Sequence, residues 1–248
     1  MPYHASSWCC IPQLIHMSER NDTKSFDPYT TDGGKAYHEE IYGGVGARGY
    51  KLIARWRVAK IQPYVEPSDH VLEFGVGPGW NLARLEAARR RGYDVASALR
   101  PSVEAEGIEF TDEITREDFE AYDVVICSHV LEHLPNPGEA LGVIMNCLKP
   151  EGKALLYVPL DIGHRFKTYD PKEPNHHLFS WNVQSFINFI TFHGLAVSEH
   201  KLRPFGYERI IAIWVERLHL PDWAYPFLVH LALLLKPDHE ISVVVIKK

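Results

Sequence analysis

In HVLEFGVGPGWNL, Gly75, Gly77 and Gly79 directly follow a short apolar run, and Glu73 stands two residues before the first of them. Glycines let a chain turn sharply and let a ligand reach backbone atoms that a Cβ would obstruct. Between a strand and a helix, such a turn lies where α/β sheets bind nucleotide-like small molecules. A helix start beyond it would add free N–H groups and a positive dipole end. The spacing excludes the dinucleotide fingerprint G-x-G-x-x-G, because Trp80 occupies its last position and Gly79 comes one residue early. Glu73 places a carboxylate beneath the loop, suited to orienting its amides or attracting a cationic ligand group.

The second chemical feature is a set of histidines, which accept protons near neutral pH. His129 and His133 lie four apart around a predicted strand exit. His176 and His177 follow the turn-rich DIGHRFKTYDPKEPN, which carries Arg165 and Tyr169, and Tyr37 and His38 precede the first predicted helix. Each has a structural alternative: His133 as a loop-structuring residue, and His129 as a pocket wall that moves no proton. No carboxylate–histidine spacing forces a ligand set, and Cys9 and Cys10 lack a second pair, so no metal is expected.

The elements that must position these groups follow from periodicity. Leu52, Ile53, Trp56 and Ala59 repeat at helical spacing before Pro63, as a helix over one edge of the site. HVLEF is a strand, Asn81–Arg91 a helix with Gly92 as its C-cap, and YDVASAL a second strand. YDVVICS, KALLYV, LAVSEHKL and EISVVVIKK are further strands. Ala140–Leu148 is a helix, and a second is capped by Ser180 or Asn182 and buries Val183, Phe186, Ile187 and Ile190. This alternation predicts a doubly wound α/β fold with a mainly parallel sheet covered on both faces. Residues 1–49 form an arm and pocket cover, and residues 50–248 one domain with an apolar helical insertion at 210–235.

The bulk properties bound the function. The chain has 248 residues and a net charge of −6, so one large domain fits and no general attraction to nucleic acid is expected. The run ARRRG looks like a solvated helix end. Four cysteines without a disulfide pattern, and an amino terminus without a leader-like apolar run, fit a cytoplasmic protein. Residues 223–235 are too short to span a bilayer; a buried or lid helix and peripheral membrane contact both fit.

VLEFGVGPGWNL resembles motif I of class I S-adenosylmethionine-dependent methyltransferases. YDVVICSHVLEHLPNPGEAL is similar to their fourth-strand segment, and LKPEGKALLYVP to the next helix end and fifth strand. The ordered resemblance covers roughly residues 50–200 and implies a Rossmann-like seven-stranded sheet, S-adenosyl-L-methionine as cofactor and S-adenosyl-L-homocysteine as product. It implies that Glu73, Gly75, Gly77 and Gly79 cradle the methionine moiety and that Asp112 contacts adenine. Ser128 and His129 would pass beside the cofactor. Many members end the second strand with an acidic residue that holds the ribose hydroxyls; here Leu99 stands at that position, which departs from the pattern.

The resemblance further implies methyl transfer to a small metabolite, at oxygen in preference to nitrogen or carbon, with a sugar-containing or an aromatic or lipid-like acceptor. His133, His177 or His129 would serve as base, and Tyr37, His38, Arg165, Tyr169 and His176 would line the acceptor pocket. Two alternatives stay open: a non-catalytic cofactor-binding or scaffold protein, for which Leu99 argues, and an enzyme that uses the cofactor for another transfer.

Overall fold

The computed structural model describes residues 43–161 and 176–248. Seven strands form one sheet in the order β3-β2-β1-β4-β5-β7-β6: β1 His70–Phe74, β2 Arg89–Tyr93, β3 Glu109–Thr111, β4 Tyr122–Ser128, β5 Leu148–Pro159, β6 Val197–Pro204 and β7 His239–Ile246. The order reverses between β1 and β4. Pairing is parallel from β3 through β5, and β7 runs antiparallel to both its neighbours. The carboxyl ends of β1 and β4 therefore share one edge with the start of β7.

Central strands of this kind are buried on both sides, which is why VVIC and VVVI are continuous apolar runs. Alternate residues serve opposite faces. Leu72, Val125, Leu156 and Val243 pack with helices α3 (Pro137–Cys147) and α4 (Val183–Phe192). Val71, Val124, Leu155 and Val244 pack with α1 (Ala47–Ile61), Leu82 and Leu85. A short helix, α2 (Arg100–Glu104), follows β2. Asn182 caps α4 by accepting from Ser185 N at 2.9 Å, one of the two caps expected.

The region between β1 and β2 departs from expectation. Residues 81–91 form no helix: Leu82 N and Ala83 N bond back to Gly79 O, and the chain then enters β2 at Arg89. The arginine run accounts for this. Arg89 pairs with Glu109, Arg90 donates to the carbonyls of Leu82 and Ala83, and Arg91 pairs with buried Asp118, so the run is held at the sheet edge. Gly92 is not a C-cap but lies inside β2, where any Cβ would sit 2.6 Å from Val76 Cγ2. YDVASAL is correspondingly not a strand beyond Tyr93; Ser97–Leu99 is a 3₁₀ turn.

Helix α1 begins at Ala47, inside the segment assigned to the arm. Its free amino-terminal amides at Gly46, Arg48 and Gly49 donate to the Glu216 carboxylate. Glu216 belongs to α5 (Glu208–Arg217), and α6 (Ala224–Leu235) packs beside it. Tyr225, Val229 and Leu233, four apart, are buried against α1 residues Leu52 and Ile53. Phe227, Leu231, Leu234 and Leu235 remain exposed, so α6 is half-buried rather than enclosed. Among the described residues, no helix is long and apolar enough to cross a membrane.

Candidate active site

One half of the carboxyl edge is built from backbone. Gly75, Gly77 and Gly79 have φ of +81°, +51° and +80°. Gly75 N and Val76 N donate to Tyr93 O, and Gly77 N donates to Asp94 at 2.8 Å. Asp94, buried directly after β2, also accepts from Ala96 N. Glu73 is wholly buried at the end of β1: Asn81 donates to its Oε1, and its Oε2 has no hydrogen-bond partner. Burial pushes the Glu73 carboxyl up to about 8, against the hydrogen bond from Asn81. Helix α1 lies over this loop, with Tyr50 donating to Pro78 O at 2.8 Å.

The other half is built from charged side chains. Val130, just past β4, packs so tightly on Gly75 that a Cβ there would lie 2.3 Å from Val130 Cγ2, so the two halves abut. His129, at φ +56°, follows β4 and stacks on Phe205 with ring centroids 4.3 Å apart. Its Nε2 lies 3.0 Å from Glu240, which also binds Lys60 at 2.6 Å, and its Nδ1 lies 3.5 Å from Glu132. Burial lowers the His129 pKa, but the two carboxylates outweigh it and raise it on balance. Burial raises the Glu132 carboxyl, and His129 and His133 overcome that and lower it.

Glu132 has no exposed surface, and His133 Nε2 lies 3.9 Å from it. The His133 and His177 rings meet edge to face at 4.9 Å. His177 Nδ1 lies 3.4 Å from Asp161, two residues beyond β5. Backbone bonds hold the segments together: Leu178 N and Phe179 N donate to Glu132 O, and Asp161 N to Trp181 O. The edge thus offers imidazoles backed by buried carboxylates, beside a glycine cradle with an unpaired buried oxygen. Such a set can bind a polar ligand and promote loss of its proton.

A methyltransferase-domain family model matches residues 47–200. The chain belongs to the class I S-adenosylmethionine-dependent methyltransferase family. No curated protein matches its sequence. An S-adenosylmethionine-dependent methyltransferase of Archaeoglobus fulgidus shares its fold at 17% identity and TM-score 0.56, over 86% of this chain and 99% of that one. Phosphoethanolamine N-methyltransferase 2 of Haemonchus contortus, bound to phosphomonomethylethanolamine and S-adenosylhomocysteine, aligns at 14% identity and TM-score 0.57. That match covers 85% of this chain and 59% of that one. The [4+2]-cyclase SpnF aligns at 12% identity and TM-score 0.55, over 78% and 80%, so the fold alone does not dictate methyl transfer.

The chain places its sequence-derived candidates unevenly. Glu73 and the three glycines converge on one loop, and Ser128 ends β4 beside it. Leu99 does not end β2, because that strand stops at Tyr93 and the acidic Asp94 directly follows it. Asp112 follows β3 and pairs at the surface with Arg100 at 3.2 Å. His129 is turned into the Glu240–Glu132 pair, which suits a held cation better than a base. His133 and His177 come together, while His176 is exposed with φ +49°. Tyr37, His38, Arg165 and Tyr169 lie outside the described residues.

Sequence reasoning missed Asp94, Asn81, Lys60, Asp161 and Glu240. Asp94 would have emerged from entering β2 at the arginine run. Asn81 lies in the glycine motif eight residues after Glu73, whereas Lys60, Asp161 and Glu240 reach their partners only through the fold and carry no local signal.

Proposed function

We propose that the chain binds S-adenosyl-L-methionine at the glycine loop and methylates an oxygen of a small metabolite, releasing S-adenosyl-L-homocysteine. The observation that carries this reading is the contact of Val130 with Gly75, which joins the cofactor cradle to the Glu132–His133–His177 cluster. Glu73 Oε2, buried without a partner, suits the cationic amino-acid end of the cofactor. Asp94 stands where ribose hydroxyls are held in the family.

Glu73, the glycine loop and Asp94 would hold the cofactor, which would supply an electrophilic methyl to the acceptor oxygen and leave as its thioether. The protein must orient the acceptor and remove its proton. An oxygen acceptor is favoured because a hydroxyl must lose a proton and this edge provides imidazoles. His177, oriented by Asp161, and His133 beside it are assigned to that loss. Tyr37, His38, Arg165, Tyr169 and His176 remain candidates for the acceptor wall, which accepts a sugar-containing or an aromatic or lipid-like molecule.

The test is transfer of label from methyl-labelled S-adenosylmethionine to a panel of sugars, phenols and quinone-like acceptors, with mass analysis of products. A methylated oxygen is expected, and His177→Ala should lower kcat roughly 10²–10⁴-fold with cofactor affinity nearly unchanged. A product carrying another part of the cofactor in place of the methyl would instead support a different transfer. Cofactor binding with no product across the panel would support a non-catalytic protein.

A further inference from the structure

Glu132, His133 and His177 come together across forty-odd residues of sequence, and one donor atom from each lies within 4.8 Å of the others. We propose that these three residues form a binding site for a first-row divalent cation, Zn²⁺ above all. The inference deepens the proposed function and rests on it for the ion's role at the acceptor, though not for the binding itself.

The donor set is two imidazoles and one carboxylate, which suits Zn²⁺ and its first-row neighbours and not Mg²⁺ or Ca²⁺. Four-coordinate ligands at about 2.1 Å stand about 3.4 Å apart, so the donors need close by little more than an ångström. Neither Glu132 oxygen has a hydrogen-bond partner, although the side chain is wholly buried. Its nearest cationic neighbour, His129 Nδ1, stays at 3.5 Å, longer than a charge-assisted hydrogen bond. His129 and His133 offset its charge from 3.5 and 3.9 Å, which leaves both oxygens open to a closer ligand such as a cation.

The surroundings match those of built metal sites. His177 directs Nδ1 to Asp161 at 3.4 Å, the carboxylate–histidine relay that orients a ligating imidazole. The amides of Leu178 and Phe179 tie the His177 segment to the Glu132 carbonyl, so the three donors are held before any ion arrives. The His133 and His177 side chains keep 13% and 18% of their surface exposed, against none for Glu132, so the site opens on the imidazole side. Among the described residues the site has three protein ligands, the number found in catalytic rather than structural sites, which keep a fourth position for water or substrate. An acceptor hydroxyl at that position would be acidified by the cation and would give its proton to water. His133 and His177 would then assist proton loss through the ion.

The experiment uses the full chain, stripped with a chelator and titrated with Zn²⁺ against a chromophoric competitor, and with Co²⁺ followed by visible absorption. One equivalent should bind, with ligand-field bands for Co²⁺. His177→Ala, at a part-exposed position, should weaken Zn²⁺ binding about 100-fold or more, and Asp161→Asn about 10-fold. Binding of S-adenosylmethionine, measured alongside, should persist in the stripped protein. Absence of stoichiometric Zn²⁺ binding, or binding indifferent to His177→Ala, overturns the site. Full turnover by stripped protein overturns its role at the acceptor and leaves the methyltransferase reading intact. Loss of cofactor binding with Zn²⁺ binding retained would instead sink that reading and spare the site.

Discussion

The two halves of the carboxyl edge are built by opposite means. Around β1 and β2 the site is backbone: positive-φ glycines, amides bonded to Tyr93 and Asp94, and a Glu73 carboxyl held largely neutral by burial. Around β4, β5 and β7 it is side chain: Lys60, Glu240, His129, Glu132, His133, His177 and Asp161 in a continuous series of ionisable groups. A backbone cradle recognises a feature common to many ligands and tolerates no side chain in the turn. A charged series depends on every partner, since a buried ion left alone is expensive. Damage to the first half should therefore abolish cofactor binding while sparing the fold, and damage to the second should spare the cofactor while harming turnover or stability.

The largest effect is expected at Gly77. Valine there meets a strained φ of +51° in the proposed cradle, and should weaken S-adenosylmethionine binding by at least about 100-fold with an unchanged circular dichroism spectrum. An unfolded variant would break the contrast between the halves.

Glu240→Gln should act in the opposite sense, on stability. It removes the counter-charge shared by Lys60 and His129 and should cost about 3 kcal/mol, lowering Tm by roughly 6–12 °C. Burial alone would raise the Glu240 carboxyl, but Lys60 and His129 hold it down at about 2. Because the folded pKa lies below the ordinary value of 4.5, this stabilisation is complete above that pH and is lost as pH falls toward 2. The difference between wild type and variant in denaturant melts should shrink over that window; a constant difference would contradict the assignment.

A smaller effect is expected at Glu73. Burial keeps its carboxyl protonated at pH 7, with Asp94 adding to the shift and Asn81, Arg57 and Lys60 opposing it. A cationic cofactor group that ionises it must displace that proton. Titrations at pH 7 in buffers of different ionisation enthalpy should show release of about one proton per cofactor, and none with Glu73→Gln. Equal proton release by the two proteins would detach Glu73 from the cofactor. The smallest effect should come from Asp112→Ala, because that exposed carboxylate already pairs with Arg100; an affinity change of about threefold or less is expected, and a much larger one would show direct contact with the ligand.

The same contrast explains what the sequence could reveal. The glycine loop is contiguous, and its strand is marked by an apolar run, so Glu73 and Gly75–Gly79 were legible in twelve residues. The sheet was legible because buried strands such as YDVVICS and EISVVVI carry their own pattern. The helix expected at 81–91 failed because Leu82, Leu85 and Ala88 match a helical stripe, whereas the arginine run that overrides it finds its partners in Glu109, Asp118 and a loop. That one error displaced the end of β2 by several residues and put Leu99, in place of Asp94, directly after the strand. Glu240 and Asp161 had no local signal at all, since their partners come from other elements.

Calorimetric titration of the wild-type chain with S-adenosylmethionine and with S-adenosylhomocysteine tests the central claim most directly. The glycine cradle, the unpaired Glu73 oxygen and Asp94 together predict saturable one-to-one binding of both ligands at about micromolar strength. No detectable heat from either ligand at ~1 mM would contradict the account.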